Sequence, residues 1–175
     1  LRAADAPDLA DICATAALRR THHAHRLAVA GASCAEMAAQ LEDYLADEDA
    51  PHVVMASRRD GAPDAPLAFV FSGQGSQWLG MGRDLYATAP AFRAVVDRCE
   101  TLFQAEAGWS LIAELNAAPE ASRLDEIDVV QPTLFAIQAG LTALWRDFGV
   151  TPDVVIGQSM GEVAAAHAAG ILSLE

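Results

Sequence analysis

The sequence predicts an α/β fold with parallel buried strands, preceded by a small α+β unit. Three observations predict it. Two short apolar runs, residues 67–71 and 153–157, each lead straight into a glycine-containing turn. The residues between them place apolar side chains at helical spacing. The first sixty residues follow a different pattern and are cut off from the rest by a run of turn formers. Strand, helices, strand, helix is the order that builds a parallel sheet.

Residues 1–60 read as two helices, each followed by a short strand. Leu9, Ile12, Cys13 and Ala16 recur at helical spacing, and Arg19 and Arg20 close that helix where its dipole favours cations. Arg26-Leu27-Ala28-Val29-Ala30 is strand-like and stops at Gly31. Ser33 followed by Glu36 forms a capping box that opens a helix with Met37, Leu41 and Leu45 on its apolar face. Pro51-His52 ends it, and Val53-Val54-Met55-Ala56 is the second strand. Residues 61–66, with Asp60 before them, contain only turn formers and alanine, so they form the linker to a second domain, residues 67–175.

In that domain Leu67-Ala68-Phe69-Val70-Phe71 is apolar throughout, as expected of a strand buried on both faces. A glycine-rich turn, residues 72–82, follows. Thr88-Ala89-Pro90 starts a helix carrying Phe92, Val95, Val96, Cys99, Leu102 and Phe103. Ser110 caps a short helix with Leu111, Ile112 and Leu115. Pro132 is expected to open a helix running to Phe148, with Leu134, Ile137, Leu141, Leu144 and Trp145 inward and Gly149 at its end. The second strand is Asp153-Val154-Val155-Ile156-Gly157, and the apolar helix after it, residues 163–169, should be buried all round.

Composition narrows the function. The 175 residues are 53% hydrophobic, and 24 acidic against 11 basic side chains leave a formal charge of −13. That balance argues against a nucleic-acid partner, which needs clustered positive charge. Cys13, Cys34 and Cys99 are odd in number and far apart, so each is expected to be a buried thiol in a reducing compartment. No signal-like N-terminus is present, and the longest uncharged apolar stretch, residues 163–174, is shorter than the ~20 residues that span a bilayer. A soluble protein of the cytoplasm is expected, with no metal site. His22, His23 and His25 lack partners at ligand spacing and read as hydrogen-bonding surface residues.

Chemistry is concentrated in Gly157-Gln158-Ser159-Met160-Gly161-Glu162. This is a Gly-x-Ser-x-Gly turn with a strand before it and a helix after it. A serine on so sharp a bend takes a strained backbone, so both glycines must be small for strand and helix to pass closely. The hydroxyl then projects from the sheet edge, and the Met160 amide at the helix start can stabilise an oxyanion. The earlier turn, Ser72-Gly73-Gln74-Gly75-Ser76-Gln77, has neither the glycine frame nor the lysine of a nucleotide-binding loop. After a neighbouring strand, it can supply the second oxyanion amide. His167 lies eight residues beyond Ser159, about 12 Å along the helix axis, too far to act as its base.

Phe69-Val70-Phe71-Ser72-Gly73-Gln74-Gly75-Ser76-Gln77, with Gly80-Met81-Gly82, resembles the opening of the malonyl-transacylase family. Residues 156–162 resemble that family's G-H-S-x-G-E motif. Residues 1–60, including Thr21-His22-His23-Ala24-His25-Arg26, resemble the linker that joins ketosynthase to acyltransferase in modular type I polyketide synthases. The resemblance implies the N-terminal half of an α/β-hydrolase-like acyltransferase core. It also implies a two-step transfer: Ser159 takes an acyl group from acyl-CoA, and the phosphopantetheine thiol of an acyl carrier protein removes it. Gln74 and Met160 would offer backbone N–H groups to the oxyanion, and Gln131 and Gln158 would line the substrate pocket. No bound cofactor is implied. Partners would be the carrier protein and an adjacent ketosynthase domain. Ile127-Asp128-Val129-Val130-Gln131 and Met160 look like the methylmalonyl type, with malonyl the other possibility.

Two departures qualify the resemblance. Gln158 stands where the family has His, so no imidazolium is available there. The family's general-base His, its carboxylate-binding Arg and a small inserted subdomain fall beyond Glu175, so these residues alone are expected to lack useful transferase activity and to expose an apolar patch at 163–174. Two other readings stay open at this stage: a serine hydrolase or thioesterase sharing the same bend, and a non-catalytic structural remnant.

Overall fold

The chain folds as two units, Leu1–Asp64 and Ala65–Glu175. The structure, a computed structural model, describes residues 1–3, 6–57 and 65–175. Of the expected linker, residues 61–64 lie outside the described residues; Ala65 and Pro66 are exposed and irregular.

In the first unit α1 (Leu9–Leu18) and α2 (Cys34–Leu45) alternate with β1 (His25–Val29) and β2 (Val53–Ser57). The strands form an antiparallel pair with His25 opposite Ser57 and Val29 opposite Val53. The capping box is present in shifted form. Ser33 Oγ accepts from Glu36 N at 3.2 Å, while Glu36 Oε2 accepts from Ala32 N, one residue earlier than the usual partner. Met37 and Ala38 are buried. Leu45, expected inward, is 81% exposed, and α1 buries no residue at all. Cys13 is therefore exposed and Cys34 half-buried; only Cys99, in the second unit, is a buried thiol. A unit this small has too little interior for every apolar position.

The second unit is built on two strands, β3 (Ala68–Phe71) and β4 (Val154–Gly157), parallel and in register from Ala68 opposite Val154 to Phe71 opposite Gly157. Between them run α3 (Arg83–Thr88), α4 (Pro90–Ala107), α5 (Leu111–Leu115) and α6 (Ile127–Asp147), and α7 (Gly161–Ala168) follows. Pro90 opens α4 at a position that has no use for an N–H, and Gly108, at φ +72°, ends it. Ser110 Oγ caps α5 by accepting from Ala113 N. At the other end of α6, Gly149 takes φ +77°; its N–H donates to Arg146 O and that of Val150 to Trp145 O, the paired bonds that close a helix C-terminus.

Phe92, Val96, Cys99, Leu111, Leu115, Val130, Leu134 and Ile137 form the main core between α4, α5 and α6. A second cluster joins Phe71 to Ala164, Ala165 and Ala168 of α7. Within this unit, among the described residues, only one face of the strands is covered. Phe69 and Phe71 alternate with Ala68 and Val70, and Val70, Val154 and Ile156 are 73%, 50% and 53% exposed. The expectation of burial on both faces is corrected: apolar composition suits a strand to two neighbours, but α6 and α7 pack on one side only. Likewise α7 ends at Ala168, and Val163, Ile171 and Leu172 are exposed.

α6 begins at Ile127, five residues before Pro132. Proline there removes one helical N–H bond, to the Asp128 carbonyl, yet Val129 and Val130 of the first turn are completely buried, and their packing holds the turn in helical form. Trp145, expected inward, is half exposed. By length and composition α6 could cross a membrane, more so than residues 163–174, but half of its most apolar stretch is buried within the unit.

Candidate functional site

The site forms where β3 and β4 end side by side. Gln158 N donates to Phe71 O at 3.0 Å, extending the pairing one step past the strands. The chain then reverses. Gly161 N, Glu162 N and Val163 N donate to the carbonyls of Gln158, Ser159 and Met160 at 2.9, 2.9 and 3.1 Å, a tight three-residue winding that starts α7. Ser159, at the apex, has φ +54°. A non-glycine residue in the left-handed region is strained by roughly 1 kcal/mol or more. Its side chain is exposed.

Two glycines make the bend possible. A β-carbon on Gly157 would stand 2.4 Å from Glu162 Cα, and one on Gly161 would stand 2.3 Å from Phe71 O. Neither position has room for a methyl group. The turn after β3 closes on the same point: Gly73 is buried, and a β-carbon there would stand 3.3 Å from Ser159 Cβ and 3.1 Å from Gln158 O. The next amide is that of Gln74, whose side chain is exposed. Among the described residues neither Gln74 N nor Met160 N donates a hydrogen bond. These two backbone donors, like those of Gly73 and Ser159, are thus unused among the described residues on the two turns that meet at Ser159.

Beside Met160 lies a cleft of about 340 Å³ lined by Phe103, Ile127, Gln131, Pro132, Phe135 and Val163, with Asp128 at its edge. Gln131 therefore shares a cavity wall with Met160. Gln158 is exposed, and its side chain makes no hydrogen bond among the described residues. Sequence reasoning did not single out Phe135 or Val163, whose contribution depends on how α6 and α7 cross. Nor did it single out Gln138. The only hint there was one amide within an otherwise apolar face of α6.

Among the described residues of the second unit, no histidine stands by the serine. His167 is half-buried near the far end of α7; its Nδ1 meets Leu172 O at 3.0 Å and its ring lies edge-on to Phe135. In the first unit, His22 Nε2 bonds Ala17 O and His25 Nδ1 bonds Ser57 Oγ. Among the described residues no group of three or more His, Cys, Asp or Glu side chains could hold a metal. Perturbed ionisations lie away from the bend. The Arg123 guanidinium holds the Glu126 carboxyl, at the start of α6, below its ordinary value. Burial pushes the Cys99 thiol up to about 11.

Comparison with known proteins adds the following. A family described as "Acyl transferase domain" matches residues 68–175, and one described as "CurL-like, PKS C-terminal" matches residues 1–41. The chain is 44% identical over 174 residues to mycoketide-CoA synthase of Mycobacterium tuberculosis and 43% identical to polyketide synthase GfsA of Streptomyces halstedii. These alignments cover 99% and 98% of this chain but 4% and 2% of those proteins. Among solved structures, the acyltransferase domain from module 8 of the salinomycin polyketide synthase aligns over 99% of this chain and 40% of its own, at 33% identity and TM-score 0.82. The second-module domain of the same synthase aligns over 96% and 38%, at 39% identity and TM-score 0.70.

Proposed function

The chain belongs to the acyl transferase domain family, and on that premise we propose that it moves an extender acyl unit from acyl-CoA, through an ester on Ser159, to the phosphopantetheine thiol of an acyl carrier protein. The observation that carries the proposal is the exposed Ser159 at φ +54°, with two undonated amides on the turns beside it. In the first half-reaction Ser159 Oγ attacks the thioester carbon, its proton passes to a base, and the negative oxygen is met by the N–H groups of Gln74 and Met160. Collapse expels the CoA thiol. The second half-reaction repeats these steps with the carrier thiol as nucleophile.

His167, whose ring is engaged at the other end of α7, is not proposed as the base. Gln131 and Gln158 are proposed to contact the acyl group. The apolar walls of the Met160 cleft suit an α-methyl substituent, so methylmalonyl is the proposed extender and malonyl its competitor. One methyl group is worth only about 1–3 kcal/mol of discrimination. The match of residues 1–41 supports reading residues 1–60 as the linker that follows a ketosynthase, and that domain as a neighbour. The reaction is proposed to take place in the cytoplasm.

The test incubates the full-length protein containing these residues with methylmalonyl-CoA or malonyl-CoA and follows acylation of Ser159 by mass. Acylation lost in Ser159→Ala, and chased onto added carrier protein, supports the reading. Release of the acyl group to water in preference to the carrier thiol overturns it in favour of a hydrolase.

A further inference from the structure

We infer that Gln138 is a positioning residue that holds the turn bearing the Gln74 amide against Ser159; the inference rests on the acyl-transfer reading above. Gln138 lies on α6, and its Nε2 donates to the Ser72 carbonyl oxygen at 2.8 Å, with Ser72 Oγ 3.5 Å away. Ser72 is the residue at which the chain leaves β3. Its hydroxyl is 3.1 Å from that of Ser76, which ties together the first five residues of the glycine-rich turn. From the other side, the Ser72 carbonyl abuts Gly161, where a β-carbon would come within 2.7 Å. The carbonyl is thus gripped between a side-chain amide of α6 and the bare first residue of α7. One peptide further on, Gly73 packs on Ser159, and the following N–H is the undonated one of Gln74.

The other end of the same side chain strengthens the argument. Gln138 Oε1 is buried and has no hydrogen-bond partner among the described residues. A buried carbonyl left unpaired carries its full desolvation cost. A methionine of the same length would avoid that cost and continue the apolar face of Leu134, Ile137 and Leu141. What the amide supplies and methionine does not is the N–H on Ser72. An oxyanion donor acts only when it sits at hydrogen-bond distance from where charge develops, so a small displacement of the turn slows acylation with little effect on substrate binding.

The test compares Gln138→Met with wild type in the intact polypeptide, reading single-turnover acylation by acyl-CoA. In parallel, a Ser159→Cys background reads alkylation by iodoacetamide, a reaction that uses no oxyanion donor. Acylation slowed tenfold or more, with KM within threefold and alkylation within twofold, is the expected result. Gln138→Glu provides a second variant. It should be slow at neutral pH, where an ionised carboxylate cannot donate to Ser72, and should recover as pH falls and the acid form regains a donor. Acylation within threefold of wild type in Gln138→Met overturns the inference. So does a parallel loss of alkylation, which would mark Gln138 as general packing. A full-length wild-type protein containing these residues that no acyl-CoA acylates sinks the function itself, a separate outcome.

Discussion

The α-carbon of Gly161 rests against the carbonyl oxygen of Phe71, so closely that a β-carbon on it would stand 2.3 Å away. Both partners are backbone, and neither can swing aside. Gly161→Ala must therefore push α7 off the end of β3. We expect a loss of about 2–3 kcal/mol in urea unfolding, the upper range for overpacking, and acylation at Ser159 reduced at least a hundredfold. A variant with the wild-type unfolding midpoint would mean that the contact yields.

Ser159 itself is predicted to oppose stability. Its φ of +54° suits glycine better than any other residue. Ser159→Gly and Ser159→Ala should both abolish acylation, but the glycine variant should be the more stable by about 1 kcal/mol. Equal melting midpoints for the two would show that the bend holds no strain.

Phe92 is fully buried, and its ring sits between Gly82 and Gly140, where β-carbons would come within 3.2 and 2.7 Å of ring atoms. Phe92→Ala should cost about 3–5 kcal/mol, read as a shift in the denaturation midpoint. A cost below 1 kcal/mol would show that the core collapses onto the gap.

Cys99 sets an alkaline limit. Burial raises its thiol from an ordinary 9.0 to about 11, so the unfolded chain releases this proton first. Cys99 contributes its full stability below pH 9 and progressively less from pH 9 to 11, because the unfolded state binds fewer protons in that window. Denaturation measured at pH 8, 9, 10 and 11 should show a fall that is shallower in Cys99→Ala. At pH 8 a thiol reagent should label Cys13 readily and Cys99 only after unfolding. Prompt labelling of all three cysteines in the native protein would contradict the burial.

The bend at Ser159 was legible in the sequence because its constraints are local: two glycines at fixed spacing, an apolar run before and a helix after. Its pairing with the turn at Gly73 was legible only by analogy, since the register that brings Phe71 opposite Gly157 is a long-range fact. The start of α6 was misplaced because Pro132 looks like a first-turn residue. Burial of Val129 and Val130 outweighs the one hydrogen bond the proline removes. The exposure of Val70, Ile156 and Trp145 was not legible either, because an apolar side chain shows what it would tolerate beside it and not what is there. Gln138 escaped notice for the same reason: its value lies in a carbonyl 66 positions away.

The parallel pairing of β3 with β4 joins stretches of chain 86 positions apart. A ribosome releasing this polypeptide therefore delivers the first turn long before the serine, and neither piece can hold a tetrahedral oxygen by itself. Under the proposed function, reactivity toward thioesters should arrive abruptly, when the sheet closes, and vanish as soon as its edge opens. Ser159 would then act as a built-in gauge of whether this part of the molecule has folded.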